Sequence, residues 1–225
     1  MNRFFINYCV GARGDFLTQC LRDIEYDIEL LKDLNNNAKL PPPLFYCVKT
    51  HGDIKDIFTG IEDFPKNYDS WKDLFDTVNS FNLIKLKIVA SSIEECIDIV
   101  WFAYSKTILN NTRSRTQLSP NEIPEPTLEY IHKNMDIIMG SAFFEVALMQ
   151  EFDKECQHEY DYIIKFEDLF NVEYIKDLYK KINGRNMDYS RSKAIEKNIE
   201  MQYRLSKSEF YPIFKEKLSI IHTLF

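Results

Sequence analysis

The sequence predicts an α/β protein: a three-layer core with a mainly parallel central sheet and extra C-terminal helices. Three observations carry this. Four short apolar runs, near 4–10, 44–49, 83–90 and 161–166, have the length and composition of buried strands. Segments with helical spacing separate them. Alternation of strand and helix in chain order places successive strands parallel, because a short crossover helix returns the chain to the same edge of the sheet.

The first run, "FFINYCV", stops at Gly11. From Asp15 the period changes, and Phe16, Cys20, Ile24, Ile28 and Leu31 recur at the spacing of one helix face. Three consecutive prolines in "NNNAKLPPP" (35–43) bar a helix there, since each lacks a donor and fixes φ. "LFYCV" (44–48) is the second strand, ending in "KTHGD"; a helix is expected across 53–58 and another around 69–81. "NLIKLKIVA" (82–90) is the third strand. "SSIEE" follows, with Ser92 and Glu95 in capping-box spacing ahead of a helix over 93–109. Residues 110–126 are polar and proline-bearing, which predicts a loop. A long helix begins near Pro126, its stripe formed by Leu128, Ile131, Met135, Ile138, Ala142 and Met149. "YDYIIKF" (160–166) is the fourth strand, and 167–183 is loop and helix ended by Gly184. Two helices, broken near 206–208, complete the chain. One domain over 1–225 is expected, with helical additions at about 126–155 and 186–225.

Composition narrows the function. Hydrophobic residues make up 45% of 225, enough for a sizeable core. A net charge of −7 argues against a nucleic-acid partner, which calls for a basic face. The five cysteines, Cys9, Cys20, Cys47, Cys96 and Cys156, are scattered, with no CxxC or Cys/His cluster, so a zinc site has no support. Buried reduced thiols, a short apolar N-terminal run and no apolar stretch of spanning length lead to the expectation of a cytoplasmic protein without membrane contact.

In parallel sheets, ligands sit at the carboxyl ends of the strands. Three loops lie there: "GARGDF", "KTHGD" and "SSIEE". In the first, Gly11, Ala12, Arg13, Gly14, Asp15 and Phe16 join a strand to a helix N-terminus, where backbone N–H groups favour an anion and Arg13 adds a charged donor. No Lys-Ser/Thr follows Gly14, so the kinase-type phosphate loop is not matched. A plain tight turn with Asp15 capping the helix remains the other reading. In the second loop, His51 has the chemistry of a proton acceptor near neutral pH, and Lys49 that of a cation for a leaving oxygen. A solvated loop is the alternative there.

These residues resemble the cytosolic-type sulfotransferases. A first strand runs into a Gly/Arg turn, a second ends Lys49-Thr50-His51, and a late strand runs into Glu167-Asp168-Leu169 within "YIIKFEDLFNVEYIKDLYKKING" (162–184). The resemblance implies a P-loop-like fold and transfer of a sulfuryl group from 3′-phosphoadenylyl sulfate to a hydroxyl or amine acceptor, with no metal. His51 would take the acceptor's proton, Lys49 would meet the bridging oxygen, and residues 11–16 would hold the 5′-phosphate. Ser91 and Ser92 occupy the region where the family places an arginine for the donor's 3′-phosphate. The first loop departs from the family pattern: anchored on Gly14, Ala12 stands at the basic position, Arg13 at the serine, and Asp15 and Phe16 at the threonines. Two other classes stay open: a nucleotide or small-molecule kinase with a degenerate phosphate loop, and a catalytically inactive binding or structural module, as in a viral gene set.

Overall fold

The computed structural model describes residues 3–8, 12–22, 47–55, 57–92, 94–95, 98–99, 101, 159–206 and 211–212. They form an α/β protein: a five-stranded, mostly parallel mixed sheet with four α-helices. The strands are β1 (Phe4–Asn7), β2 (Cys47–Thr50), β3 (Ile57–Thr59), β4 (Ile84–Val89) and β5 (Tyr162–Lys165). The helices are α1 (Gly14–Leu21), α2 (Trp71–Ser80), α3 (Val172–Asn183) and α4 (Tyr189–Ser206). The sheet order is β3-β2-β1-β4-β5. β1 pairs parallel with β2 on one side and β4 on the other, and β5 pairs parallel with β4.

All four strands expected from the sequence are present and mutually parallel. β3 corrects the reading of 53–58 as helix. Gly52 takes φ 87, Thr50 Oγ1 donates to the Asp53 carbonyl at 2.5 Å, and the Lys55 amide donates to Asp53 Oδ1 at 2.9 Å, so the chain reverses tightly. It then returns along β2 antiparallel, with Ile57 and Thr59 buried and Phe58 outward. Three residues of alternation carry too little signal to separate period 2 from period 3.6. The expectations for 23–46, 102–158, 207–210 and 213–225, and for Gly11, lie outside the described residues.

Alternation along the strands divides the core between the two faces of the sheet. Phe4, Ile6 and Tyr8 join Leu17, Leu86, Ile88, Ile164, Leu178 and Tyr179, the side of α1 and α3. Phe5 and Val48 join Leu74, Phe75, Val78 and Tyr160, the side of α2. Phe5 meets Phe75 edge-on at 5.9 Å and stacks with Tyr160 at 6.3 Å. Each such ring removed from water contributes about 1.5–3 kcal/mol.

Local signals explain the helix ends. Ser70 caps α2 by accepting from the Asp73 amide. Asn171 caps α3 by accepting from the Glu173 and Tyr174 amides, and Gly184, at φ 70, ends it. A 3₁₀ turn, Phe166–Phe170, links β5 to α3. After β4 the Glu95 amide donates to Ser92 Oγ, the cap that the spacing predicted, while the Glu95 carboxylate accepts from the Ser91 amide, one residue before the cap, rather than from that of Ser92 as a full capping box would.

α1 is tied down at its C-terminal end by side chains from α3 and α4. Arg191 of α4 donates to the Gln19 carbonyl at 2.7 Å, and Asn183 of α3 donates to the Leu21 carbonyl at 3.0 Å. These are last-turn carbonyls that the helix cannot satisfy itself. At the other end Arg13 is the N-cap residue, in the left-handed region at φ 59, with no side-chain cap bond. The alternative reading in which Asp15 caps the helix is therefore not realised: it stands inside the first turn, its carboxylate turned to Lys49 and Tyr8. Among the described residues, no helix is long and apolar enough to cross a membrane.

Candidate functional site

Because β1, β2, β4 and β5 are parallel, Asn7, Thr50, Val89 and Lys165 end on one edge. The chain leaves β1 for β2 on one side and later reaches β4 on the other, so the strand order reverses at β1. That is the place where open α/β sheets bind ligands.

Four side chains converge there. Lys49 lies beside Ile6 in register, on the face covered by α1. Its ammonium is ion-paired and hydrogen-bonded to Asp15 Oδ1; Lys49 is 2% exposed and the Asp15 side chain 44%. Tyr8, whose amide extends the ladder by donating to the Thr50 carbonyl at 3.1 Å, also donates its hydroxyl to Asp15 Oδ1 at 3.1 Å. His51 Nε2 lies 3.2 Å from the same hydroxyl. The His51 ring stands edge-on to Tyr8 at 5.0 Å and leans on Phe58 of β3 at 5.1 Å. The result is a continuous polar chain, His51–Tyr8–Asp15–Lys49, from the sheet edge to the first turn of α1. The negative charge of Asp15 complements the positive end of the helix as well as Lys49.

The structure thus brings together Lys49, His51 and Asp15. It places the other sequence-selected residues differently. Ala12 is buried in the core. Arg13 turns inward: its guanidinium donates to the Leu169 carbonyl at 3.0 Å and to Asn198 Oδ1 at 2.9 Å, 3.8 Å above the Phe16 ring and 4.5 Å from that of Phe170. Burial pushes its pKa down to about 9, which leaves it cationic at neutral pH. Phe16 is buried beneath it. Ser92 is engaged as a helix cap, and Ser91 is exposed at the end of β4, the strand next to β1. The first-turn amides of α1 have no intrahelical acceptor, so the anion-binding potential of this turn rests in the backbone and Lys49.

Gly14 has a specific reason to be glycine. A Cβ there would sit 2.3 Å from three ring atoms of Tyr8. The ring lies across the α-carbon, and that close approach sets where the Tyr8 hydroxyl points. Gly14→Ala is expected to cost about 1–3 kcal/mol or more by overpacking and to move the hydroxyl off Asp15 and His51. Thermal melting checks the first effect, and the His51 ring resonances check the second.

Tyr8 was not selected from sequence. The signal was present: counting by two from Phe4 and Ile6 puts it on the α1 face, the face of Lys49. Reading the strand through to residue 10 hid it inside an apolar run. Among the described residues, no group of three or more His, Cys, Asp or Glu side chains is placed to hold a metal ion. Comparisons with protein-family models, curated proteins and solved structures find no match.

Proposed function

We propose that this chain is a sulfotransferase-like group-transfer protein with a P-loop-like three-layer core, taking a sulfuryl group from 3′-phosphoadenylyl sulfate to a hydroxyl or amine. One observation carries the reading: Lys49 and His51 meet the first turn of α1 at the carboxyl edge of the sheet, through Asp15 and Tyr8. A buried cation and an imidazole within one hydrogen-bonded chain, beside the helix-start amides, would supply charge stabilisation and proton transfer, the two services that in-line displacement needs from a protein. Lys49 and the amides of 14–16 fit a phosphate. Arg13 is not aimed at it, and the family's hydroxyl donors are missing from this loop.

In this reading Asp15 holds the ammonium until an external anion replaces its carboxylate. Asp15→Asn then leaves Lys49 short of a counter-charge. Breaking a buried pair costs about 3–5 kcal/mol; with Asp15 nearly half exposed, about 1–3 kcal/mol is expected. Adenosine 3′,5′-bisphosphate should restore the melting temperature of the variant more than it raises that of the parent. Equal shifts in both would remove Asp15 from the anion site.

The test of the function is calorimetry with adenosine 3′,5′-bisphosphate, the donor's product, which needs no knowledge of the acceptor. Heat of binding that is lost in Lys49→Ala supports the reading; binding of magnesium–ATP in its place supports a kinase. The inward-turned Arg13 favours a second reading, a binding module without turnover: bisphosphate binding with no sulfuryl transfer to any hydroxyl or amine would establish it.

A further inference from the structure

We infer that Asn198 of α4 is a positioning residue for the first turn of α1: through the guanidinium of Arg13 it holds the left-handed backbone on which that turn is built. The inference deepens the proposed anion site and rests on that reading only for its effect on ligand affinity.

Arg13 starts α1 at φ 59 and ψ 25, in the left-handed region. For a residue with a Cβ that conformation is disfavoured by about tenfold. It persists where the surroundings fix it from more than one side. Glycine, which takes it without steric cost, stands at 11 and 14 and not at 13. Arg13 is held by its side chain instead. The guanidinium donates to Asn198 Oδ1 at 2.9 Å and to the Leu169 carbonyl at 3.0 Å, over the rings of Phe16 and Phe170. The side chain makes no cap hydrogen bond. It serves the helix start by fixing the φ and ψ of its own residue. Those angles aim the Arg13 carbonyl at the Leu17 amide, 3.0 Å away, the hydrogen bond that opens the helix. They also set the course of Asp15, two residues on, whose carboxylate takes the Lys49 ammonium.

The contact with Asn198 ties this backbone to a second helix. α4 presents Arg191, Ala194, Ile195 and Asn198 on one face, at helical spacing. Arg191 donates to the Gln19 carbonyl, Ala194 and Ile195 cluster with Phe16 and Cys20, and Asn198 meets Arg13. Residue numbers fall along α1 as they rise along α4, so the two run antiparallel and α4 reaches α1 at both ends. Asn198 is thereby set level with Arg13, and the seating of α4 is passed to the turn at the sheet edge.

The test is hydrogen exchange of the Leu17 amide, read as a ratio to the amides of β4. Asn198→Ala should speed Leu17 about tenfold relative to β4, whereas a general loss of stability would move both alike. Asn198→Asp keeps an oxygen facing the guanidinium and should restore the parental ratio. In Arg13→Gly the left-handed backbone carries no steric cost, so adding Asn198→Ala should leave the ratio unchanged. A parental ratio in Asn198→Ala overturns the inference, and so does an equal effect of Asn198→Ala with and without Arg13→Gly. Should Arg13→Gly not fold, the other two variants decide: no recovery in Asn198→Asp overturns it. Affinity for adenosine 3′,5′-bisphosphate should fall by about the same tenfold in Asn198→Ala. A chain that binds no bisphosphate and shows the Leu17 pattern keeps this inference and loses the anion-site reading; bisphosphate binding with a parental Leu17 ratio in Asn198→Ala does the reverse.

Discussion

If the chain transfers sulfuryl groups as proposed, His51→Ala is expected to lower turnover by about 10²–10⁴, the usual contribution of a positioned acid or base, while affinity for adenosine 3′,5′-bisphosphate stays within a few-fold. The separation follows from the geometry. His51 sits at the far end of the polar chain, with Tyr8 and Asp15 between it and Lys49. Removing the imidazole would take away the proposed proton acceptor and leave the ammonium and the first-turn amides in place. Lys49→Ala should differ by lowering both rate and affinity, because the ammonium would face the donor in ground and transition states alike. Single-turnover rates beside calorimetric affinities make the comparison. A His51→Ala variant that turns over at the parental rate would move the protein to the binding-module reading.

Arg13→Ala is expected to act on the fold first. The variant strands two acceptors, the Leu169 carbonyl and Asn198 Oδ1, and removes a cation lying over two rings. Each orphaned buried acceptor costs about 1–3 kcal/mol, and a desolvated cation–π contact contributes about 2 kcal/mol. These losses overlap, and a total on the order of 3–5 kcal/mol is expected, a large share of the 5–15 kcal/mol that holds a typical domain together. Denaturant titration should show the midpoint fall with little change in slope. If stability is instead retained and bisphosphate affinity drops by tenfold or more, the guanidinium serves the ligand, as the sequence pattern of the first loop suggested.

The two variants mark the boundary of what the sequence discloses. The four parallel strands were legible because each carries a short run rich in apolar residues bounded by turn residues; β1 and β2 are buried on both faces, whereas β4 alternates with lysines and β5 leaves Ile163 exposed. Lys49 and His51 were legible as chemistry at a strand end. The partners of these residues were not. Asp15 reaches Lys49 only because β1 and β2 pair in one register and α1 packs back over both, and no local spacing encodes that. Arg13 read as a phosphate ligand because a guanidinium in a glycine-flanked strand–helix turn can add a charge-assisted bond to a phosphate oxygen. Its left-handed backbone at φ 59 and the two ring faces beneath it turn the side chain inward instead. Gly14 was legible as a special position but for a different reason: a tyrosine ring, rather than a phosphate, occupies the space that its missing Cβ leaves.

The inward course of Arg13 has a consequence for the order in which the chain is made. Its two acceptors lie 156 and 185 residues further along. At a synthesis rate of roughly 5–20 residues per second, the second emerges on the order of 10–40 s after Arg13 itself. Through most of that interval the turn after the first strand lacks the surfaces that would bury the guanidinium, and the half-made sheet has β4 without its late neighbour β5. Closure of so distant a contact is slow for entropic reasons as well. A ribosome-bound chain arrested before Leu169 should therefore hold its N-terminal turn open to protease, and release of the closing helices, rather than formation of the first strand, should set when the polar chain at the sheet edge takes its final shape.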